Sequence, residues 1–559
     1  MTRWSTPIEV AQGLPRVNGL RVGIAVFVAC LLSGCAAVNL RILPEQRTEE
    51  RELRRAGVAR KLPAWRVLER RGAANEETRS LVAAARAAWP GMLRGNGTDA
   101  LVYRAALRRL VRLGEKAGWS GPGADGLVRT GRDVLDPAAA DTIVPADQVE
   151  IGGVPERVTQ EGLGLPCVAW FSPDAEFLRG EPGVPPAGMA IPVTALLTFD
   201  ADGKARWRFV RTMQRDRWPV AGRERKLAAD FSAPLAMIIA RGRNRSVDLV
   251  SLFRPEENTE HAGLYQFQPF DPDKTPVVFV HGLMSRPETW RIAVNQLLAD
   301  AEIRRNFQFW FMLYPTGLPV WKSAADLRSE LDRFHRALAP RVTTRGARAR
   351  MRGKVLVGHS MGGLVSSLQV REGGESLWAR FSKVPIAELP ISEPARRRIK
   401  QLMVFEPRTD VSRVVFAGVP HRGSPLALRA GARFFAARVR FALPEIQHYR
   451  DLLLSKAHAE VRRDLEEPAN SIRFLRENSP LLGAILAAPR DPRVKFHSII
   501  GDRGRNDAPA GGDGIVPYRS AHYPGAVSEK IVPSGHDVHQ HPQGVREIAR
   551  ILREELPQR

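Results

Sequence analysis

Val355-Leu356-Val357-Gly358-His359-Ser360-Met361-Gly362-Gly363 decides how this chain is read. An apolar β run ends in a Gly-x-Ser-x-Gly pentad, and a segment of helical character, 364–371, follows at once. A serine on so sharp a strand-to-helix turn projects from the sheet, and the flanking glycines let strand and helix approach without a Cβ clash. The N-terminus of the following helix favours negative charge developing beside Ser360. The pentad alone is a weak signal in a chain rich in glycine and serine; its place between strand and helix gives it weight.

Outward from this turn, short apolar strands alternate with helix-length segments from residue 275 onward, as in a parallel sheet with crossover helices. Strands are expected at 277–281, 307–314, 354–357, 413–418, 495–500 and 529–532, and helices near 288–299, 322–338, 361–372 and 543–555. The interval from about 424 to 490 breaks the rhythm and reads as an inserted cap. Upstream, residues 35–140 form a helical N-terminal region, with Leu81, Val82, Ala85, Ala88 and Trp89 at helical spacing. Residues 141–270 read as a β-rich accessory module, with a hairpin in which 194–199 and 206–210 flank Asp200-Ala201-Asp202-Gly203-Lys204. The fold class is α/β, in a domain spanning 271–559.

At 559 residues, 44% of them hydrophobic, the chain has apolar content for more than one core and is not a disordered chain. Its 84 Lys and Arg against 60 Asp and Glu give a formal charge of +24. The arginines are scattered through every segment among acidic residues rather than gathered in one stripe, so nucleic acid is not expected as a partner. A basic surface facing anionic lipid stays compatible with this pattern.

Three further stretches each follow an expected strand. They are Val277-Val278-Phe279-Val280-His281-Gly282-Leu283-Met284, then Gly512-Asp513-Gly514-Ile515-Val516-Pro517, then Lys530-Ile531-Val532-Pro533-Ser534-Gly535-His536-Asp537-Val538-His539-Gln540-His541-Pro542. Together with the Ser360 turn, and with Phe416-Ala417-Gly418-Val419-Pro420-His421-Arg422-Gly423-Ser424, they resemble bacterial α/β-hydrolases of the lipase/esterase type over about 275–557. The resemblance implies a parallel sheet with helices on both faces. It also implies Ser360 as nucleophile, Asp513 as acid, His536 as base, and an oxyanion hole from the backbone N–H groups of Leu283 and Met361. Asp502 and Asp507 compete for the acid role, and His539 and His541 for the base; His281 is equally readable as a turn residue. The two first strands common in this fold are not evident before Val277, unless the β-rich module supplies them.

Such a triad is chemically coherent, because a serine hydroxyl is a poor nucleophile until an imidazole takes its proton and a carboxylate fixes the imidazole tautomer. The expected reaction is acyl transfer to water from an acyl-ester or lipid substrate, with no cofactor and no metal. A His-x-x-His-x-His zinc reading of His536, His539 and His541 stands as the alternative chemistry for that loop. Acyl transfer to another acceptor, amide cleavage and a non-catalytic lipoprotein scaffold are the competing functions.

Residues 1–34 read as an export signal, with Arg3, Arg16 and Arg21 before the apolar run 23–32. The run ends in Leu32-Ser33-Gly34-Cys35, which resembles a bacterial lipobox and implies lipidation of Cys35; an ordinary N-terminal anchor helix with an incidental cysteine is the other reading. Ala36 in place of aspartate implies the outer membrane of a Gram-negative envelope. After cleavage only Cys35 and Cys167 remain, so no internal disulfide is expected. The arginine- and phenylalanine-bearing stretch 426–443 reads as a lid or interfacial helix, or as a cap helix with exposed arginines.

Overall fold

The computed structural model describes residues 40–42, 73–120, 125–242, 261–425, 448–466 and 474–556. The export segment, Cys35 and the 426–443 stretch lie outside the described residues.

The N-terminal part opens with α1 (Ala74–Leu93) and α2 (Gly97–Lys116). Asn96 starts α2 by accepting the Asp99 N–H at 3.1 Å, with Asp99 itself in the first turn and Lys116 in the last, each favourable to the helix dipole. Five antiparallel strands follow, β1 (Val134–Leu135), β2 (Thr142–Pro145), β3 (Leu165–Phe171), β4 (Met189–Phe199) and β5 (Ala205–Arg211), ordered β1-β5-β4-β3-β2. The β4–β5 hairpin is the one expected, with Thr198 opposite Arg206 and Phe199 opposite Ala205.

The helical region and the β-rich module share one core rather than forming two bodies. Leu81, Leu107, Leu110 and Val111 pack with Ile191, Leu196, Trp207 and Phe209. Tyr103 ties the two layers by donating to the Leu197 carbonyl at 2.6 Å and accepting the Leu197 N–H at 2.9 Å. Cys167 is a free, buried thiol in β3. Helix α3 (Ser232–Gly242) then leads toward the C-terminal part, and Phe231, Leu235 and Ile239 join that part's core.

The C-terminal sheet has seven strands: β6 (Gly263–Gln266), β7 (Thr275–Val280), β8 (Phe307–Leu313), β9 (Lys354–His359), β10 (Val411–Ala417), β11 (Lys495–Gly501) and β12 (Ala526–Val532), ordered β6-β8-β7-β9-β10-β11-β12. All neighbours are parallel except β6, which runs antiparallel to β8. Strand β6 therefore supplies one of the strands missing upstream of Val277 and moves the start of the sheet before residue 271. At four residues, with no alternation, it gives no period to read.

Strand β7 is buried along its whole length, as a central parallel strand must be. Its alternate side chains serve two cores. Val278 and Val280 meet Leu327, Leu331 and Phe334 of α5 (Val320–Leu338) on one face. Val277 and Phe279 face α4 (Arg291–Ala299) and α7 (Pro542–Arg553) through Val294, Leu297, Val545 and Ile548 on the other. Helix α6 (Met361–Ser367) is shorter than the 361–372 expected. The chain after it is held elsewhere: the Gln369 amide donates to the Ala324 carbonyl at 2.9 Å, and Arg371 pairs across a bridge with Arg490. Within the cap interval the described residues hold helices at Arg450–Lys456, Ala459–Glu466 and Pro480–Ala487.

Where β9 begins, Lys354 is fully buried and its ammonium meets Asp410 at 2.9 Å. Arg408 adds contacts to both oxygens of Asp410, at 2.8 and 2.9 Å. Burial opposes ionisation of Asp410, but the two cations outweigh it and hold the carboxyl well below the usual range. Asp410→Ala strips the buried ammonium of its counter-charge and is expected to cost about 3 kcal/mol, measured by urea unfolding. A loss below about 0.5 kcal/mol would show that the pair contributes nothing.

Candidate active site

Ser360 sits between β9 and α6 at φ 52° and ψ −126°. This strained backbone is imposed by close approach on both sides. A Cβ on Gly362 would lie 2.2 Å from the Val280 carbonyl oxygen, and one on Gly282 would lie 2.9 Å from the Ser360 Cβ. The Ser360 N–H donates to the Ala417 carbonyl at 2.9 Å, which pins the turn to β10.

The loops after β11 and β12 bring two of the expected partners to this serine. His536 Nε2 lies 2.9 Å from Ser360 Oγ, and His536 Nδ1 lies 2.8 Å from Asp513 Oδ2. The Asp513 side chain is 1% exposed, and its other oxygen accepts the Ile515 and Val516 N–H groups at 2.8 and 2.7 Å. That arrangement makes Nδ1–H of His536 the donor toward Asp513 and leaves Nε2 to accept the serine proton. Burial by itself would lower the His536 pKa, but the charge and hydrogen bond of Asp513 reverse this and raise it above the usual 6.5.

The competing residues have other partners. Asp502 accepts the Gly504 and Asn506 N–H groups at 2.8 and 3.2 Å and orders its own loop. Asp507 packs beside Gly511. His541 caps α7, accepting the Gln543 N–H. His539 is buried against Trp290, with Nε2 2.7 Å from Thr289 Oγ1, and burial drives its pKa down to about 3. The three histidines proposed as zinc ligands thus point to three different places, because Pro542 begins a helix at His541 while His536 is turned to Ser360.

The structure instead groups ligand atoms of His359, Asp537 and His539 within 4.8 Å of one another. There the two rings lie tilted by 31° with centroids 3.9 Å apart, and their Nε2 atoms meet the His536 carbonyl and Thr289 Oγ1.

His281 is fully buried, with its carbonyl accepting the Tyr314 hydroxyl at 2.6 Å and its ring stacked on Tyr314. Burial lowers its pKa to about 4, and it serves the turn rather than the serine. Met284 donates its N–H to Thr316 Oγ1 at 3.1 Å. Among the described residues no hydrogen bond engages the N–H of Leu283 or of Met361, the two expected to face an oxyanion. One contributor was not foreseen: His359, the first of the two variable residues of the pentad, donates from Nε2 to the His536 carbonyl at 3.0 Å and so holds the His536 backbone. Its neighbours in sequence carry no signal of this, since the partner is far along the chain.

Residues 277–548 match the Alpha/beta hydrolase family. With the sheet order above, the C-terminal domain has the α/β-hydrolase fold. Among solved structures it is similar to the mature lipase BlEst2 of Bacillus licheniformis, at 17% identity, covering 52% of this chain and 97% of that one with a TM-score of 0.29. It is also similar to esterase B from Lactobacillus rhamnosis inhibited by a tributyrin phosphonate, at 13% identity, with 52% and 78% covered and a TM-score of 0.28. A third is Cfl2 from Burkholderia cenocepacia, at 17% identity, with 53% and 92% covered and a TM-score of 0.27. Among curated proteins none matches the chain.

Proposed function

We propose that this hydrolase cleaves carboxylic esters, of lipid or other acyl substrates, through Ser360, His536 and Asp513. The observation that carries the reading is the unbroken line of hydrogen bonds from Asp513 through His536 to Ser360. Ser360 Oγ attacks the ester carbonyl carbon while His536 Nε2 takes its proton, and the N–H groups of Leu283 and Met361 hold the oxyanion that forms. Collapse expels the alcohol, which leaves with the proton from His536. Water, deprotonated by the same imidazole, then attacks the acyl-enzyme and releases the carboxylic acid. The full chain is expected to react with a fluorophosphonate at Ser360 alone, read by peptide mass spectrometry. A folded protein that takes up no label, or takes it elsewhere, would overturn the assignment.

The same proposal places the enzyme on an outer membrane through a lipid on Cys35, a reading supported by the apolar run and the Leu-Ser-Gly-Cys sequence at 32–35. Among the described residues no helix is long and apolar enough to cross a membrane. Cells fed a clickable palmitate analogue should label the chain, and Cys35→Ser should abolish the label; equal labelling of both would refute lipidation there.

A further inference from the structure

Beside the triad, and not used by it, a cavity of about 470 Å³ opens between the loop after β10, the segment before β11 and the turn before β12. Three guanidinium groups line it, from Arg371, Arg422 and Arg490, together with His421, His522 and Tyr523. None of the three arginines meets a carboxylate among the described residues; their partners are neutral. Arg371, itself 1% exposed, donates to Ser367 Oγ at 2.8 Å, the Ala488 carbonyl at 2.7 Å and the Tyr523 hydroxyl at 2.9 Å. Arg490 donates to the Gly525 carbonyl at 3.2 Å, and Arg422 to the Arg519 carbonyl at 2.5 Å. Glu529, which meets His522 of the cavity wall, is also engaged by the Tyr518 hydroxyl, both at 2.7 Å.

The second observation is His421. Its side chain is 1% exposed, it lines the cavity, and neither ring nitrogen has a hydrogen-bond partner. Buried polar groups left without partners are rare and mark a place where a partner belongs. Burial first, then the charges of Arg371 and Arg422, lower the His421 pKa to about 3, so the ring is neutral and offers one donor and one acceptor. The remaining wall is apolar, from Leu486, Ala488, Pro489 and Pro524.

We infer that this cavity binds a small organic oxyanion, a carboxylate or phosphate head with a short apolar tail, through Arg371, Arg422 and Arg490, with the neutral ring of His421 in its wall. Excess guanidinium charge in a partly enclosed site selects an anionic head, and bidentate donors suit these two groups. The volume lies at the small end of ligand sites. The site lies near the triad. A Cβ on Gly418 would lie 3.3 Å from Asp513 Oδ2, and His421 follows three residues later, within about 11 Å even if extended.

The test is calorimetric titration of the full chain, its Ser360 capped with fluorophosphonate, against octanoate, inorganic phosphate and octylammonium. Saturable binding of octanoate or phosphate is expected, weakening as salt rises and at least tenfold weaker in Arg422→Gln/Arg490→Gln. The Lys/Lys counterpart should bind within a fewfold of wild type, and both variants should melt cooperatively. Preference for octanoate assigns a carboxylate source, and preference for phosphate a phosphate source. No anion binding, binding unchanged in the Gln/Gln variant, or equal binding of octylammonium would overturn the inference. Capping the serine separates this outcome from that of the esterase reading, because the titration needs no turnover.

Discussion

Ser360→Ala is expected to lower kcat on a soluble p-nitrophenyl ester by about a millionfold. The substitution removes the attacking oxygen while leaving the fold alone, since the Ser360 hydroxyl has His536 as its hydrogen-bond partner and alanine meets the same backbone strain at φ 52°. His536 and Asp513 then have nothing to activate. The residual rate over water, about 10³-fold, comes from substrate binding and the N–H groups of Leu283 and Met361. Activity within a hundredfold of wild type in a correctly folded variant would remove Ser360 from the mechanism.

Asp513→Asn is expected to lower kcat by about 10⁴-fold, and the geometry says how. One oxygen of Asp513 accepts two backbone N–H groups, so the asparagine carbonyl is kept at that position and its amide must face His536 Nδ1. An amide donor there forces Nδ1 to be the unprotonated nitrogen and puts the proton on Nε2, toward the serine it should deprotonate. The pH profile carries a second readout. His536 works as a base only when neutral, and its pKa is raised in the native protein, so kcat/KM should climb with pH through a midpoint above 6.5. In the variant burial acts without the opposing carboxylate charge, and the residual acid limb should move below 6.5. A limb that stays in place, or a rate loss below tenfold, would show that Asp513 does not govern this imidazole.

The accessory region bears on any attempt to dissect the chain. Strand β6 is the edge of the catalytic sheet, α3 contributes Leu235 and Ile239 to the core under β7 and β9, and the Asn295 amide of α4 donates to the Glu156 carbonyl at 2.7 Å. Deleting residues up to 270 would therefore open the hydrolase core rather than release a partner-binding module. This is a physical reason to test function by point substitution.

The Ser360 turn and the six parallel strands were legible in the sequence because each rests on local chemistry, whereas the order serine, aspartate, histidine came from the resemblance. Buried parallel strands read as apolar runs, a strand-to-helix elbow needs glycines, and loops at strand ends carry the polar residues. The early end of α6, the short edge strand β6 and the merging of α1 and α2 with the β-sheet of the accessory region were not legible, because distant partners decide them: carbonyls near residue 488 that hold Arg371, the edge of β8, and Tyr103 locked to Leu197. Sequence also left several carboxylates and histidines competing for two roles. Only the tertiary structure brings Asp513 and His536, and not their competitors, into line with Ser360, because that meeting depends on which side chains come within 3 Å across the ends of three strands, and on which imidazoles burial keeps neutral beside one that a carboxylate charge raises.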